Sequence, residues 1–528
     1  MRRFSRFLLV ASMLACVAAA AWLAEPTPRG RWMAAYQAGN YRDAYDGLRK
    51  LALDPNDDPR RVGEDLTTAL SCLQQLGRQD ESDDFLEAVI AVHKKNWRLL
   101  EAAAESYAAD PHFGFIVAGK FHRGGHRGGG RLVNSIQRDR VRALQLMEQA
   151  QGLISKNASE KGSDPLNSGG LTPFRTRTKN EVADFYLHFA HILRTGGGRY
   201  ESWRLQYLTD LTQLPDYEEG YSWWVQDNHP APVDADGKPL FYHAPKSYQT
   251  AASDGERWRW LLTQAAEAEP GRLSEVELIF ADFMRSQFGV QTLAYYGAAF
   301  QPGDTDTKSG IFALHTLHDD ETIARLANGI KRFKLPDEFN WIRIYKRIAE
   351  RGRSDSGEKA RDRLANVYAD RRQFDKAAAA WKQAIAEYGA GANNSRRNQL
   401  DQIVGNWGRF ESGEIQPAGQ KATVSFRFRN GHKVSFEAQP IDVAKLLEDL
   451  KAYLKSNPKQ LDWNQLNLSN IGYRLVDQNQ AQYVGDKVAA WDMDLKPRPG
   501  HVDDRVTVTT PLTKAGAYLV TATMADGN

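Results

Sequence analysis

Cysteine is almost missing from this chain: its 528 residues contain two, Cys16 and Cys72. Cys16 lies in an apolar leader, so the rest of the chain has one thiol and no intrachain disulfide. Leu70-Ser71-Cys72-Leu73 places that thiol on an apolar helix face, where a lone cysteine serves as core filling, and no histidine motif accompanies it as for a nucleophile. An excess of one charge is missing too, with 69 Lys and Arg against 66 Asp and Glu. Residues 1–24 carry Arg2, Arg3 and Arg6 and no acid, so the remainder of the chain is formally neutral, which implies no nucleic-acid partner. No serine or cysteine sits in an elbow motif, and no pair of carboxylates can be assigned to acid–base work. The residues therefore predict no catalytic site, no cofactor and no metal.

What is present begins with a leader. Met1-Arg2-Arg3-Phe4-Ser5-Arg6 is basic, and residues 7–24 are apolar apart from Ser12, the layout of a secretory signal peptide. Ala18, Ala20 and Ala24 offer cleavage sites before the extended Glu25-Pro26-Thr27-Pro28. The run of about 18 residues is also at the lower limit for an uncleaved membrane anchor. Met13-Leu14-Ala15-Cys16 faintly has the form of a lipoprotein site, but residues 17–23 stay apolar where a lipid tether turns polar. Export to the periplasm or cell surface is the expectation.

A chain of this length, 42% hydrophobic and 26% charged, is too long for one core and too ordinary for disorder, so two to four domains are expected. The clearest internal repeat runs over 364–388. Leu364, Ala365, Tyr368, Ala377, Trp381 and Ala384 have tetratricopeptide spacing: small residues where two helices touch, large ones between. A degenerate copy opens the chain, with Trp32, Ala35 and Tyr36, a turn at Gly39-Asn40-Tyr41, then Ala44, Leu48 and Leu51 up to Asp54-Pro55-Asn56. Residues 73–89 form a third. Helical patterns continue over 140–152, 180–193, 256–268, 274–288 and 321–331, and Ser274 with Glu277 has the form of a capping box.

Beyond Glu411-Ser412-Gly413 the pattern changes. Residues 421–429 and 433–438 alternate across Asn430-Gly431, a hairpin signal, and 441–454 is an amphipathic helix. Residues 473–476, 487–495, 505–510 and 517–524 read as strands. The fold class predicted is thus mostly α: a leader over 1–24, an α-solenoid of tetratricopeptide-like repeats over 25–412, and a C-terminal β-rich α+β or sandwich-like module over 413–528. In residues 517–524, Tyr518, Val520 and Ala522 share one face, with an open strand edge expected before Asp526-Gly527-Asn528, as for a module that is incomplete at its end.

The chain resembles the bacterial alpha-2-macroglobulin-like family in its forms with a helical N-terminal region. The resemblance is carried by His126-Arg127-Gly128-Gly129-Gly130, Arg138-Asp139-Arg140-Val141-Arg142-Ala143-Leu144, Asp254-Gly255-Glu256-Arg257-Trp258-Arg259-Trp260, Asp319-Asp320-Glu321-Thr322-Ile323, and Leu335-Pro336-Asp337-Glu338-Phe339-Asn340-Trp341. Thr507-Val508-Thr509-Thr510-Pro511-Leu512 and Ala517-Tyr518-Leu519-Val520 are similar to a macroglobulin domain's closing strands. It implies a proteinase inhibitor whose bait segment and Cys-Gly-Glu-Gln thioester lie elsewhere, neither being in these residues. Its protein partners would be proteinases engaged through other domains.

Four constellations remain. Residues 120–131, with Lys120, His122, Arg123, His126, Arg127 and Arg131 among five glycines, can cradle an anion, but read as an ordered loop between helices whose arginines pair with acids. His122 and His126 have ligand spacing only on a helix. His315, His318, Asp319, Asp320 and Glu321 are the densest set of metal ligands, though Asp319 and Asp320 also read as the N-cap and acidic first turn of a helix. Asp304-Thr305-Asp306 lacks the other positions of a calcium loop. Trp223, Trp224, Trp258 and Trp260 can line a groove, but in a helical scaffold are expected to fill between helices.

Overall fold

The computed structural model describes residues 27–157, 180–195, 202–221, 230–293, 313–411, 413, 415–457, 459–466, 471–476 and 480–527. The leader, Trp223, Trp224 and Asp304-Thr305-Asp306 lie outside them. The fold is mixed α+β, about half helical, with four small antiparallel sheets. This corrects the mostly α expectation, because two of those sheets fall inside the stretch read as helical repeats. The chain divides into two compact units, residues 1–276 with 326–328, and 277–325 with 329–528.

In the first unit, helices α1 (Pro28–Gln37), α2 (Tyr41–Ala52), α3 (Val62–Gln75), α4 (Ser82–Val92) and α5 (Trp97–Ala109) come first. Gly39, at φ +80°, ends α1. The Trp32 ring lies so close to Gly47 of α2 that an added Cβ would stand 2.1 Å from it. Arg29 ties α1 to Asp65 of α3, at 2.6 Å, and to Asp57 of the connection before α3, at 2.5 Å. Burial outweighs Arg29 and pushes the Asp65 carboxyl up to about 6. Asn96 caps α5, its Oδ1 accepting the Arg98 N–H at 3.1 Å.

Four short strands come next in space, in the order β2 (Lys120–Arg123), β1 (Phe113–Val117), β3 (Arg131–Asn134), β4 (Glu218–Glu219). Helices α6 (Ile136–Asn157), α7 (Glu181–Thr195) and α8 (Asp254–Ala268) complete the unit. Buried Asp254 accepts from Arg140 of α6 at 2.9 Å, and Ser253 caps α8.

The second unit takes in most of α9 (Leu273–Phe288), then β5 (Glu321–Leu326), β6 (Gly329–Lys334), α10 (Trp341–Glu350), α11 (Asp355–Asp370), α12 (Phe374–Tyr388) and α13 (Ser395–Val404). Helix α9 starts at Leu273 behind a short 3-10 turn, so Ser274 lies inside its first turn and is not the cap expected. Residues 321–331, read as helix, form the β5–β6 pair; the alternation on both sides of Asn328-Gly329 is a hairpin pattern that the helical reading passed over. The repeat at 364–388 is present as α11 and α12, with Ala365, Ala377 and Ala384 fully buried and Trp381 and Tyr368 filling between them.

The strand-rich part holds two three-stranded sheets, ordered β10-β9-β12 and β11-β8-β7, from β7 (Trp407–Phe410), β8 (Thr423–Arg429), β9 (Lys433–Ile441), β10 (Ala489–Asp494), β11 (Asp504–Thr509) and β12 (Ala517–Met524). Phe426, Phe428, Val434, Phe436, Leu495, Val508 and Met524 form their common core, with Val520 and Ala522 packed against it. Asn430-Gly431 is therefore a crossover between sheets and not the hairpin expected, since β8 and β9 do not pair. Asn430, at φ +59°, gives its amide to the Ile403 and Gly405 carbonyls at 2.9 and 2.8 Å, and a Cβ on Gly431 would meet the Met524 sulfur at 2.6 Å. Helix α14 (Val443–Lys455) agrees with the sequence, whereas residues 473–476, read as strand, lie in helix α16 (Ile471–Val476), after the short α15 (Trp463–Leu466). Strand β12 pairs with β9 alone, so its outer edge carries no ladder among the described strands.

Candidate functional site

The glycine-rich segment is the most structured of the sequence candidates. It is not a loop between helices. Phe113-Gly114-Phe115-Ile116-Val117 alternates as a strand, turns at Ala118 and Gly119 with φ of +49° and +83°, and returns as β2 with Val117 opposite Lys120. The glycines from 124 on connect β2 to β3, and the Gly124 N–H donates to the Phe113 carbonyl at 2.8 Å.

Alternation then sends neighbours to opposite faces. Phe115, His122 and Leu132 share one, and Gly114, Arg123 and Val133 share the other, which faces the helices. Arg123 is buried there. Its Nη1 and Nη2 donate to the two oxygens of Asp139 on α6 at 2.8 and 2.9 Å, its Nε and Nη2 to Asp83 on α4 at 3.0 and 2.8 Å, and Nη1 also to the Pro111 carbonyl at 2.8 Å. Ser135 Oγ donates to Asp139 at 2.6 Å, and His112 Nδ1 lies 2.9 Å from the same carboxylate. Burial opposes ionisation of Asp139, but the hydrogen bonds from Arg123 and His112 overcome it and hold the carboxyl below its usual value. Asp83 is pushed up by burial despite Arg123. Arg131 meets Glu219 at 3.1 Å on the surface.

On the outer face the His122 and His126 rings lie 5.6 Å apart, brought together by the glycine-rich return and not by helical spacing. His122 is 4.0 Å from Asp80, and His126 leans on Phe115 at 6.0 Å. Tyr221 approaches Phe113 at 5.4 Å. Among the described residues no group of three or more His, Cys, Asp or Glu is arranged to hold a metal ion.

The 315–321 cluster comes apart in the fold. His315 and His318 are exposed, and no helix follows Asp319 and Asp320, since β5 begins at Glu321. The capping reading fails because Thr322 and Ile323 continue into a strand. Asp319 receives Lys346 at 2.7 Å, Tyr368 at 3.1 Å and Lys376 at 3.3 Å; Glu321 receives Arg332 at 2.7 Å. Beneath them, buried Arg371 holds the His318 and Glu321 carbonyls at 3.0 and 2.8 Å, and Gln373 holds those of His315 and Leu317 at 3.2 and 2.7 Å. Burial pushes Arg371 down to about 10.

Trp258 is buried in the core and Trp260 packs edge-on to Tyr186 and Tyr248, as expected of fillers. Cys72 is fully buried, and burial pushes its thiol up to about 11, where it holds little thiolate. The segment's arginines do pair with acids, as read for Arg123 and Arg131, but the buried Arg123–Asp139 node itself was not named. Its signal was the alternating strand around Ala118-Gly119, which puts Arg123 on the helix-facing side. No protein-family model matches this chain, and no curated protein matches its sequence significantly.

Proposed function

We propose that this chain is the non-catalytic N-terminal scaffold and interaction region of an exported alpha-2-macroglobulin-like endopeptidase inhibitor, an α-solenoid followed by a macroglobulin-like module. The observation that carries the reading is the pair of three-stranded sheets closed over one phenylalanine-rich core, with β12 at the edge of its sheet. Helices that pack mainly on their chain neighbours, α1 on α2, α10 on α11, α11 on α12 and α12 on α13, support the repeat array before it. The basic start and apolar run of the leader support export. No helix among the described residues is long and apolar enough to cross a membrane, so anchoring would fall to that leader. The coding sequence past Asn528 tests the proposal. In-frame macroglobulin-type strands and a bait segment are expected; a stop codon directly after Asn528 overturns it.

A self-contained repeat protein that binds peptides or cell-wall components is the second reading. It rests on the same neighbour-to-neighbour helix packing, α10 on α11, α11 on α12 and α12 on α13. A metal-dependent hydrolase built on residues 315–321 has little support, because lysine and arginine already occupy the carboxylates a cation would need.

A further inference from the structure

We propose that the β1–β3 sheet is fastened to the helices of its unit by a proton-operated latch, in which Arg123 serves the carboxylates of Asp83 and Asp139 and the carboxyl of Asp110 takes up a proton that tightens the hold.

The node is mismatched in charge. Arg123 is the guanidinium at its centre, and three carboxylates face it: Asp83 from α4, Asp139 from α6, and Asp110 at the C-terminal end of α5. Asp83 and Asp139 take its hydrogen bonds. Asp110 takes none, and its Oδ2 is sealed from water without a hydrogen-bond partner. His112, on the connector to β1, is the remaining titratable group at Asp110 and is turned to Asp139. Around the node, Asp84 is engaged outside by Lys120 at 2.8 Å, and Tyr217, under Arg138, stacks on Phe121. With all three carboxylates ionised, they exceed the single Arg123 guanidinium by two negative charges around a largely buried node. One proton on Asp110 removes half of that excess without disturbing either arm of Arg123.

Burial pushes the Asp110 carboxyl up to about 6; Arg123 and His112 oppose the rise, and Asp83 and Asp139 add to it. A carboxyl whose folded value is raised adds stability that is full below its ordinary value near 4 and is lost as pH rises through about 6. Asp83 is shifted the same way. Asp139 is shifted down, so its contribution is present above the usual carboxylate value and is lost only in stronger acid. Between pH 7.5 and 5 the balance therefore favours the latched sheet. The sheet is a suitable moving part, because its strands are four or five residues long and Arg123 is its buried charged tie to α4 and α6, with Lys120–Asp84 outside it. Outside the cytoplasm, where pH follows the medium, such a latch would grade how firmly the Phe115, His122 and His126 face is presented.

Hydrogen exchange of the full chain at pH 5.0, 6.0 and 7.5, corrected for intrinsic rates, tests this. Protection of residues 113–134 should rise about tenfold from pH 7.5 to 5.0, the rise setting in as pH falls through about 6. Asp110→Asn should abolish most of that rise and at pH 7.5 match the unsubstituted chain at pH 5.0. Asp65→Asn, which removes the other strongly raised carboxyl of the unit, should leave the rise intact. The latch is overturned if protection is flat or falls toward pH 5.0, if the rise survives in Asp110→Asn, or if it disappears with Asp65→Asn. Should Asp110→Asn not fold, the unsubstituted profile decides alone: protection at pH 5.0 no greater than at pH 7.5 contradicts the proposal.

Discussion

The α11–α12 hairpin and the β1–β3 sheet solve the same problem, holding a short element against helices, with opposite chemistry. The hairpin uses shape. Ala365, Ala377 and Ala384 let the helices approach and Trp381 fills the remainder, so the centre of the seam is apolar, with one ion pair, Arg361 to Glu387 at 2.8 Å, beside it. The sheet uses charge: one buried arginine reaches two helices through two aspartates. A seam of small residues degrades gradually as volume changes. A charge node fails abruptly, because the loss of one member leaves the others buried and unpaired.

The sharpest way to break that comparison is Asp139→Ala, which strips Arg123 of its bidentate partner and His112 of its carboxylate. It should cost about 3–5 kcal/mol, read as a fall in the urea midpoint of the first unit's transition with the second unit's unchanged. Next comes the seam. Ala384→Trp should overpack α11 against α12 and cost about 1–3 kcal/mol, measured in the second unit; an effect of a few tenths would mean that the helices are not in contact there. Ser354→Ala removes the N-cap of α11, whose hydroxyl accepts the Gly357 N–H at 3.0 Å, and should cost about 1 kcal/mol by the same measurement. The smallest effect belongs to Lys359→Ala. Its pair with Asp355 is exposed and one turn apart, so thermal unfolding should move by no more than about 0.5 kcal/mol.

The two regions also differ in how much could be read in advance. The hairpin was legible because tetratricopeptide spacing is local: six residues between Leu364 and Ala384 set the contact, and all of them lie where the pattern put them. In the strand-rich part most strands were legible, but β7 was missed, 473–476 was misread, and the pairing was not legible. Asn430-Gly431 has the chemistry of a tight turn, and only the burial of Phe428 and Val434 in one core, with Met524 against Gly431, sends β8 and β9 to different sheets. The β1–β3 node was not legible as a unit. Asp83, Asp110 and Asp139 lie in or at the ends of three separate helices and Arg123 in a segment read as a loop, so no local pattern joins them. The helical reading of 321–331 failed for a related reason: its apolar residues suit either period, and Asn328-Gly329 was the deciding signal.

Charge fastening one region locally while packing fastens the other is the central claim. Hydrogen exchange of Arg123→Met against the unsubstituted chain tests it most directly. Residues 113–134 should lose protection by about 100-fold or more, while residues 355–388 keep theirs. Equal loss in both regions, or unchanged protection of 113–134, would contradict it.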